Sequence, residues 1–188
     1  MDSSAAESFH KVRVDRTRGV QQPSKLKIAE FDSPYPLQNM FKIKDITRPC
    51  DGCTKCCEGW LSGTAYGYNF SPYKKCHFLK NGCGIYPARP NDPCKTFVCE
   101  WKANNIFPEW LKPDKAHVII LKRRINDKYY YIFSSTGKLV DKKVFEWAES
   151  FSKETKHNIV IENMQKFSVY SQDKDFLVLI KEKYNIGV

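Results

Sequence analysis

The stretch that decides how this chain folds is Cys50-Asp51-Gly52-Cys53-Thr54-Lys55-Cys56-Cys57, which holds four cysteines in eight residues. Two residues between cysteines let the chain turn so that both sulfur atoms face one metal ion. Gly52 can adopt the positive φ that such a tight turn uses. The chain's eight cysteines are completed, at wider spacing, by Cys76, Cys83, Cys94 and Cys99. This clustering predicts a segment that folds around metal.

The rest of the composition favours metal over disulfide bonds. The chain has 188 residues, of which 41% are hydrophobic and 14% aromatic, so an ordinary core can form without covalent cross-links. No basic stretch followed by an apolar run marks the amino end, and no run approaches the roughly 20 apolar residues of a membrane span. We therefore expect a cytoplasmic protein without a membrane partner, and disulfides are rare in that compartment.

The adjacent pair Cys56-Cys57 leaves the number of metal sites open. Neighbouring side chains in extended backbone point to opposite sides, so the pair could serve two sites, or one thiol could bind metal while the other packs. Eight thiols divide into two four-sulfur sites, or into one such site plus spares. The three-residue spacing of Cys50, Cys53 and Cys56 matches bacterial ferredoxins, but no Cys-Pro pair follows, which distinguishes this chain from a plain ferredoxin.

The chain divides into three parts by composition. Residues 1–30 are polar and basic and are expected to form a mobile arm. Residues 31–115 form the cysteine-cluster segment, whose motif covers 47–102 and is rich in glycine and proline. Residues 116–188 are expected to form a carboxyl half packed on that segment. The predicted fold class is α+β, a loop-rich metal-centred segment with a small hairpin–helix–strand–helix layer.

The carboxyl half shows regular periodicity. β-branched and aromatic residues predict strands at 117–121, 129–133, 159–161 and 167–170, the first two as a hairpin around 124–127. His117 is placed inside the first of these strands. Asp141 is a candidate N-cap of a helix carrying Val144, Trp147 and Ala148, and Asn158 is a candidate for its end. A last helix carries its apolar face at Phe176, Leu179, Ile180 and Tyr184.

The cysteine motif resembles the CxxCxxCC, or YkgJ-like, family of zinc- or iron-chelating cysteine cluster proteins. The resemblance rests on Cys50-x-x-Cys53-x-x-Cys56-Cys57 followed by Cys76-His77-Phe78-Leu79, Gly82-Cys83-Gly84-Ile85-Tyr86, Arg89-Pro90, Pro93-Cys94-Lys95-Thr96-Phe97 and Cys99-Glu100-Trp101. It covers residues 47–102, and Lys95 departs from the arginine usual in the family. The resemblance implies a metal held by all eight cysteines, with a 4Fe-4S iron–sulfur cluster favoured and zinc as the alternative.

Other residues of the motif have candidate roles beside the metal. Arg89 could donate hydrogen bonds to the ligands, and Trp101 could shield a cluster from water. His77 could replace a sulfur as a zinc ligand, although thiols already suffice. Tyr66, Tyr68 and Phe70 alternate along the chain and could stack on bases, with simple packing favoured.

Three functions are compatible with these features. The first is an iron–sulfur protein for electron transfer to a redox or other protein partner, or an interaction module. The second is a zinc-stabilised module that binds nucleic acid or protein, consistent with the formal net charge of +10. The third is a redox or methyl-transferring enzyme, because some proteins of the resembled family are similar to flagellin lysine N-methylases. No catalytic constellation beyond the cysteines and no methyl-donor loop is visible, so catalytic residues are not assigned.

Overall fold

The carboxyl half is built on a five-stranded mixed sheet. The computed structural model describes residues 10–14, as backbone, together with 48–72 and 74–186. The strands are β1 (His10–Val14), β6 (Val118–Ile125), β7 (Lys128–Ser135), β8 (Asn158–Asn163) and β9 (Lys166–Ser171), in the order β1-β9-β8-β7-β6. Only β7 and β8 run parallel, because helix α3 (Lys142–Thr155) connects them. The predicted α+β class is confirmed.

The predicted hairpin is confirmed, and its two strands extend beyond the apolar runs from which it was predicted. Strands β6 and β7 pair from Val118↔Ser135 to Ile125↔Lys128, which leaves Asn126 and Asp127 as the turn. Asn126 has φ 50°, a conformation that Asn tolerates better than most residues. In the extended part, Lys122, Arg123 and Arg124 lie opposite three tyrosines of β7, so long charged side chains pair with aromatic rings across the strands.

The sheet is covered on both faces. Neighbouring residues of β7 point to opposite sides, and the ring of Tyr131 lies 5.1 Å from that of Phe107 whereas the ring of Tyr130 lies 5.4 Å from that of Phe176. Phe107 and α3 therefore cover one face, and helix α4 (Lys174–Tyr184) covers the other. The three buried residues 159–161 of β8 fit a central strand that is enclosed on both sides.

Helix α3 begins as the sequence predicts but ends differently. The Asp141 carboxylate accepts a hydrogen bond from the Lys143 N–H at 2.7 Å, which confirms the predicted N-cap. The helix closes at Lys156, with φ 62°, and not at Asn158. Asn158 begins β8 instead, where its side chain donates to the Tyr129 carbonyl at 3.1 Å.

His117 does not lie inside a strand, which corrects the prediction for this residue. It adopts φ 55° at the end of the short helix α2 (Pro113–Ala116), and β6 starts one residue later. Its carbonyl accepts the Thr136 N–H at 2.9 Å, so the residue still aligns the chain with the end of β7.

The cysteine segment is made of short elements. Strands β2 (Gly63–Ala65) and β3 (Tyr68–Phe70) form one small hairpin, and β4 (Leu79–Lys80) and β5 (Gly82–Cys83) form another. Wide helical turns at Cys56–Trp60 and Asn91–Lys95 and helix α1 (Glu100–Ala103) complete it. The segment joins the sheet through shared core residues, namely Cys99, Trp101, Phe107 and Leu111.

The amino-terminal arm is not wholly the mobile segment that its composition predicts. Residues His10–Val14 form β1, which pairs with β9 from His10↔Ser171 to Val14↔Phe167. An edge strand offers unpaired backbone groups that a short segment can satisfy without a core of its own. The other residues of the arm lie outside the described part of the chain. No helix in that described part is long and apolar enough to cross a membrane.

Candidate metal centre

The first cysteines are arranged by two consecutive turns. The Cys53 N–H donates to the Cys50 carbonyl at 2.9 Å, and Asp51 and Gly52 between them have φ 40° and 77°. The next turn is fixed by Glu58, whose carboxylate accepts from Thr54 Oγ1 at 2.8 Å and from Lys55 Nζ at 2.6 Å. These hydrogen bonds bring three cysteines of the motif onto one compact loop, as the spacing predicts.

Electrostatic interactions define a first thiol group, Cys50, Cys53, Cys56 and Cys99. Burial raises the pKa of Cys56 well above its ordinary value, and the thiols of Cys99, Cys53 and its neighbour Cys57 add to the rise. The pKa of Cys99 is likewise raised to about 11, first by burial and then by Cys50 and Cys53. Three members thus come from one loop, and the fourth comes from the residue before α1.

A second thiol group consists of Cys57, Cys76, Cys83 and Cys94. The pKa of Cys57 is raised to about 11, first by burial and then by Cys76, Cys83 and Cys94. The pKa of Cys94 is raised by burial and then by Cys76 and Cys83. The backbone joins two members directly, because the Cys76 N–H donates to the Cys57 carbonyl at 2.9 Å.

Cys56 and Cys57 interact with each other, but each also interacts with a different set of three cysteines, which gives two sets of four. Packing agrees, because Cys57 and Cys94 both lie against the small core that contains Cys76. All eight are free thiols, with no disulfide among them. Four thiolates are the complete donor set of a structural zinc ion or of a 4Fe-4S cluster, so each set fits one such centre in type and number. The sequence left this division open.

The sulfur atoms of each group interact electrostatically but do not form a closed ligand shell. Across the described ranges 10–14, 48–72 and 74–186, no three or more His, Cys, Asp and Glu side chains are arranged closely enough to hold a metal ion. Electrostatic interactions act over longer distances than metal–sulfur bonds. The thiols of one group can therefore change one another's pKa without being close enough to bind one ion. Metal binding would require the four thiols of each group to move closer and to lose their protons.

Backbone donors already lie beside two cysteines of the first group. The N–H groups of Lys55 and Asp114 hydrogen-bond to the Cys53 sulfur and oppose the rise in its pKa that burial causes. The Lys102 N–H, which donates to the Cys99 carbonyl at 3.0 Å, opposes the rise in the pKa of Cys99. Such N–H donors stabilise the charged thiolate over the neutral thiol, and a metal-bound cysteine is a thiolate.

Cations lie beside both groups, and two of them were not predicted. Lys102 Nζ lies 3.6 Å from the Cys50 sulfur, and Lys112, buried in spite of its charge, donates from Nζ to the Asp51 carbonyl at 3.1 Å. Lys102 follows Cys99 by three residues on α1, a spacing that could have indicated it. Lys112 has no local signal because its partner is 61 residues away.

Of the two residues predicted to act beside the metal, Arg89 lies near a thiol group and Trp101 lies in the main core. Arg89 stacks on the Tyr86 ring at 3.7 Å, and its charge lowers the pKa values of Cys57 and Cys94, so it lies by the second group. Trp101 is buried in the main core, and its indole N–H donates to the Pro108 carbonyl at 3.2 Å. The indole N–H of Trp101 therefore donates to a backbone carbonyl and not to a thiol.

The remaining candidate residues of the motif are His77 and three aromatic residues. His77 stacks on Tyr68, with ring centres 3.9 Å apart and planes within 6°. Phe70 is buried in a small core with Ala65 and Cys76, whereas Tyr66 and Tyr68 are exposed. Packing, the favoured prediction for the three aromatic residues, holds within a core for Phe70, whereas Tyr66 and Tyr68 contact Phe78 at the surface.

Comparison of the chain with family models, with curated proteins and with solved structures gives no match. The likeness to the CxxCxxCC family accordingly stays a prediction from the motif, and the argument for function rests on the thiol groups themselves.

Proposed function

We propose that this protein binds metal at two four-thiolate centres, one held by the first thiol group and one by the second. Packing supports the proposal, because Cys57 and Cys94 pack against the small core that contains Cys76, whereas the Cys50 sulfur lies 3.6 Å from Lys102 Nζ, three residues after Cys99. The charge interactions of Cys56 and Cys57 agree with this division into two sets of four. A single centre would not need the second set. Two four-thiolate centres would use all eight free thiols as ligands.

Iron–sulfur clusters of the 4Fe-4S type are the favoured occupants, and zinc is the alternative. The spacing of Cys50, Cys53 and Cys56 and the likeness to the YkgJ-like family support iron. When bound, such a cluster supplies one-electron transfer. The chain's own contribution is to ligate through its thiolates, to donate N–H groups to Cys53 and Cys99, and to offset negative charge with Lys102 and Arg89.

The proposed role is electron transfer to a protein partner, or a metal-stabilised module for interaction with one. We assign the protein to the reducing cytoplasm, where eight thiols can persist without pairing. Neither function requires a catalytic side chain beyond the cysteines.

Metal analysis of anaerobically purified protein tests this function. Two 4Fe-4S clusters predict about eight iron and about eight sulfide per chain with a brown colour, and two zinc sites predict about two zinc in a colourless protein. Either result supports two four-thiolate centres and selects the metal. Half of these contents would contradict two centres, and a protein that takes up neither iron nor zinc on reconstitution would reject the function.

A further inference from the structure

The hairpin of β2 and β3 displays two aromatic residues. Its turn consists of Tyr66 and Gly67, with φ 45° and 82°, the conformation of a tight two-residue hairpin. Tyr66 is 58% exposed and Tyr68 is 49% exposed. Phe70, two residues further, is buried and fixes the strand to the small core below. The exposed rings are thus held on a rigid element.

A stacked pair stands on this hairpin. The rings of Tyr68 and His77 are parallel at 3.9 Å, and Phe78 contacts both edge-on, at 5.5 Å from Tyr68 and 5.1 Å from His77. Phe78 also lies 6.0 Å from the Tyr66 ring, so one partly buried residue positions three rings. His77 stacks on one face of Tyr68, and 49% of Tyr68 stays exposed beside this contact.

Cationic residues adjoin the stacked pair. A hollow of about 300 Å³ is lined by Gly67, Tyr68, Asn69, Lys74, Lys75 and His77. No carboxylate is among these lining residues, and both lysines are exposed. The place of Lys74 is fixed, because its backbone pairs with Ser71 through hydrogen bonds of 3.1 and 2.8 Å.

We infer that this stacking surface, formed by Tyr66, Tyr68, Lys74, Lys75 and His77, binds single-stranded nucleic acid. Aromatic faces stack on bases, and lysines beside them contact phosphates. The net charge of +10 gives the same preference for a polyanion. An acidic peptide would use the lysines but would leave the exposed aromatic face without a matching flat group.

The inference goes beyond the proposed function but depends on the fold of the same segment. Cys76 precedes His77 and belongs to the second thiol group, so metal at that group would stabilise the loop that carries the stacked pair. Binding is therefore measured with the full chain after metal reconstitution, and metal content is determined on the same sample.

The test is fluorescence anisotropy with a labelled thymidine oligonucleotide of about 12 nucleotides at low salt. Tyr68→Leu should weaken binding by about 5- to 100-fold, because it removes one stacking ring. Tyr68→Phe keeps the ring and should stay within about twofold. Tyr129→Leu is the matched control, since Tyr129 is also exposed (43%) and has a lysine ammonium 5.0 Å from its ring, but lies on β7.

Two further measurements separate stacking from simple attraction of charges. The double change Lys74→Gln and Lys75→Gln should reduce the slope of log affinity against log salt by about 1.4, at about 0.7 per phosphate contact. An abasic oligonucleotide of equal length should bind more weakly than the thymidine strand. Equal binding of the abasic strand, or equal losses in Tyr68→Leu and Tyr129→Leu, would overturn the inference.

The remaining outcomes are also decisive. Absence of binding by the metal-loaded protein would reject the nucleic-acid surface and leave the metal proposal intact. Binding that depends on Tyr68 in a protein that takes up no metal would support the surface and reject the metal proposal. Preference for a glutamate peptide over the oligonucleotide would indicate a protein partner and contradict the inference.

Discussion

At the scale of single residues, the direction of two neighbouring side chains organises the candidate site. Besides each other, Cys56 interacts with Cys99, Cys53 and Cys50, and Cys57 interacts with Cys76, Cys83 and Cys94. The sequence identifies all eight cysteines as candidate ligands because CxxC turns are local. It could not assign Cys99 to the first group and Cys94 to the second, since that depends on how distant segments pack. The grouping is thus a property of tertiary structure.

Gly59 is a second residue on which the metal-binding loop depends. It has φ 91°, and a Cβ there would lie 2.9 Å from backbone atoms of Ser71 and Lys74. Gly59→Ala should therefore cost about 1–2 kcal/mol for the backbone conformation, and about 1–3 kcal/mol more for the clash. Thermal unfolding of the reconstituted protein should show a lower Tm and partial loss of metal.

Gly52→Ala is the control for this change. Gly52 also has positive φ, 77°, but nothing lies within 4 Å of a Cβ at that position. It should show the backbone cost alone and therefore the smaller loss of stability. Equal Tm values for the two variants would mean that the close approach of Gly59 to Ser71 and Lys74 does not affect stability.

At the scale of elements, helix α2 is linked to the first CxxC turn by a buried lysine. Lys112, at the start of α2, donates to the Asp51 carbonyl at 3.1 Å and lies 3.5 Å from the Asp114 carboxylate. Lys112→Met should cost about 1–3 kcal/mol in the free energy of unfolding, because it removes a part-buried hydrogen bond to the Asp51 carbonyl and leaves the Asp114 carboxylate without its cation. Urea unfolding of the reconstituted protein measures this loss.

Lys115→Met tests whether the effect belongs to the buried lysine or to any lysine of α2. The Lys115 side chain is 56% exposed, and its contact with Glu109 is 3.8 Å. An exposed pair of this kind contributes about 0–1 kcal/mol, so the variant should remain close to the original protein. A larger loss for Lys115→Met than for Lys112→Met would contradict the proposed link.

The elements differ in how far the sequence predicts them. The hairpin β6–β7, the Asp141 cap and helix α4 follow local patterns and are confirmed. Strand β1 was missed because its partner, β9, lies more than 150 residues away along the chain. The end of α3 and the position of His117 were misjudged because Lys156 and His117 adopt positive φ, which the sequence does not indicate for these residue types.

At the scale of the whole molecule, the cysteine segment and the sheet share one core. Cys99 and Trp101 pack in the same cluster as Val118, Phe133 and Ile161. Arg48 adds to this connection, because it donates to the Trp101 and Phe107 carbonyls at 3.1 and 2.6 Å. The first thiol group is thereby attached to a stable sheet, whereas the second group packs on a smaller cluster of Ala65, Phe70 and Cys76.

The central claim, two separate four-thiolate centres, is tested most directly by the metal content of two single variants. Cys50→Ser removes one ligand of the first group and Cys94→Ser one of the second, and both positions are partly exposed, so neither change opens a cavity in the main core. If the two centres are separate, each variant should retain about half of the metal of the original protein, and the double variant should retain almost none. Loss of all metal from either single variant, or full retention by either, would contradict it.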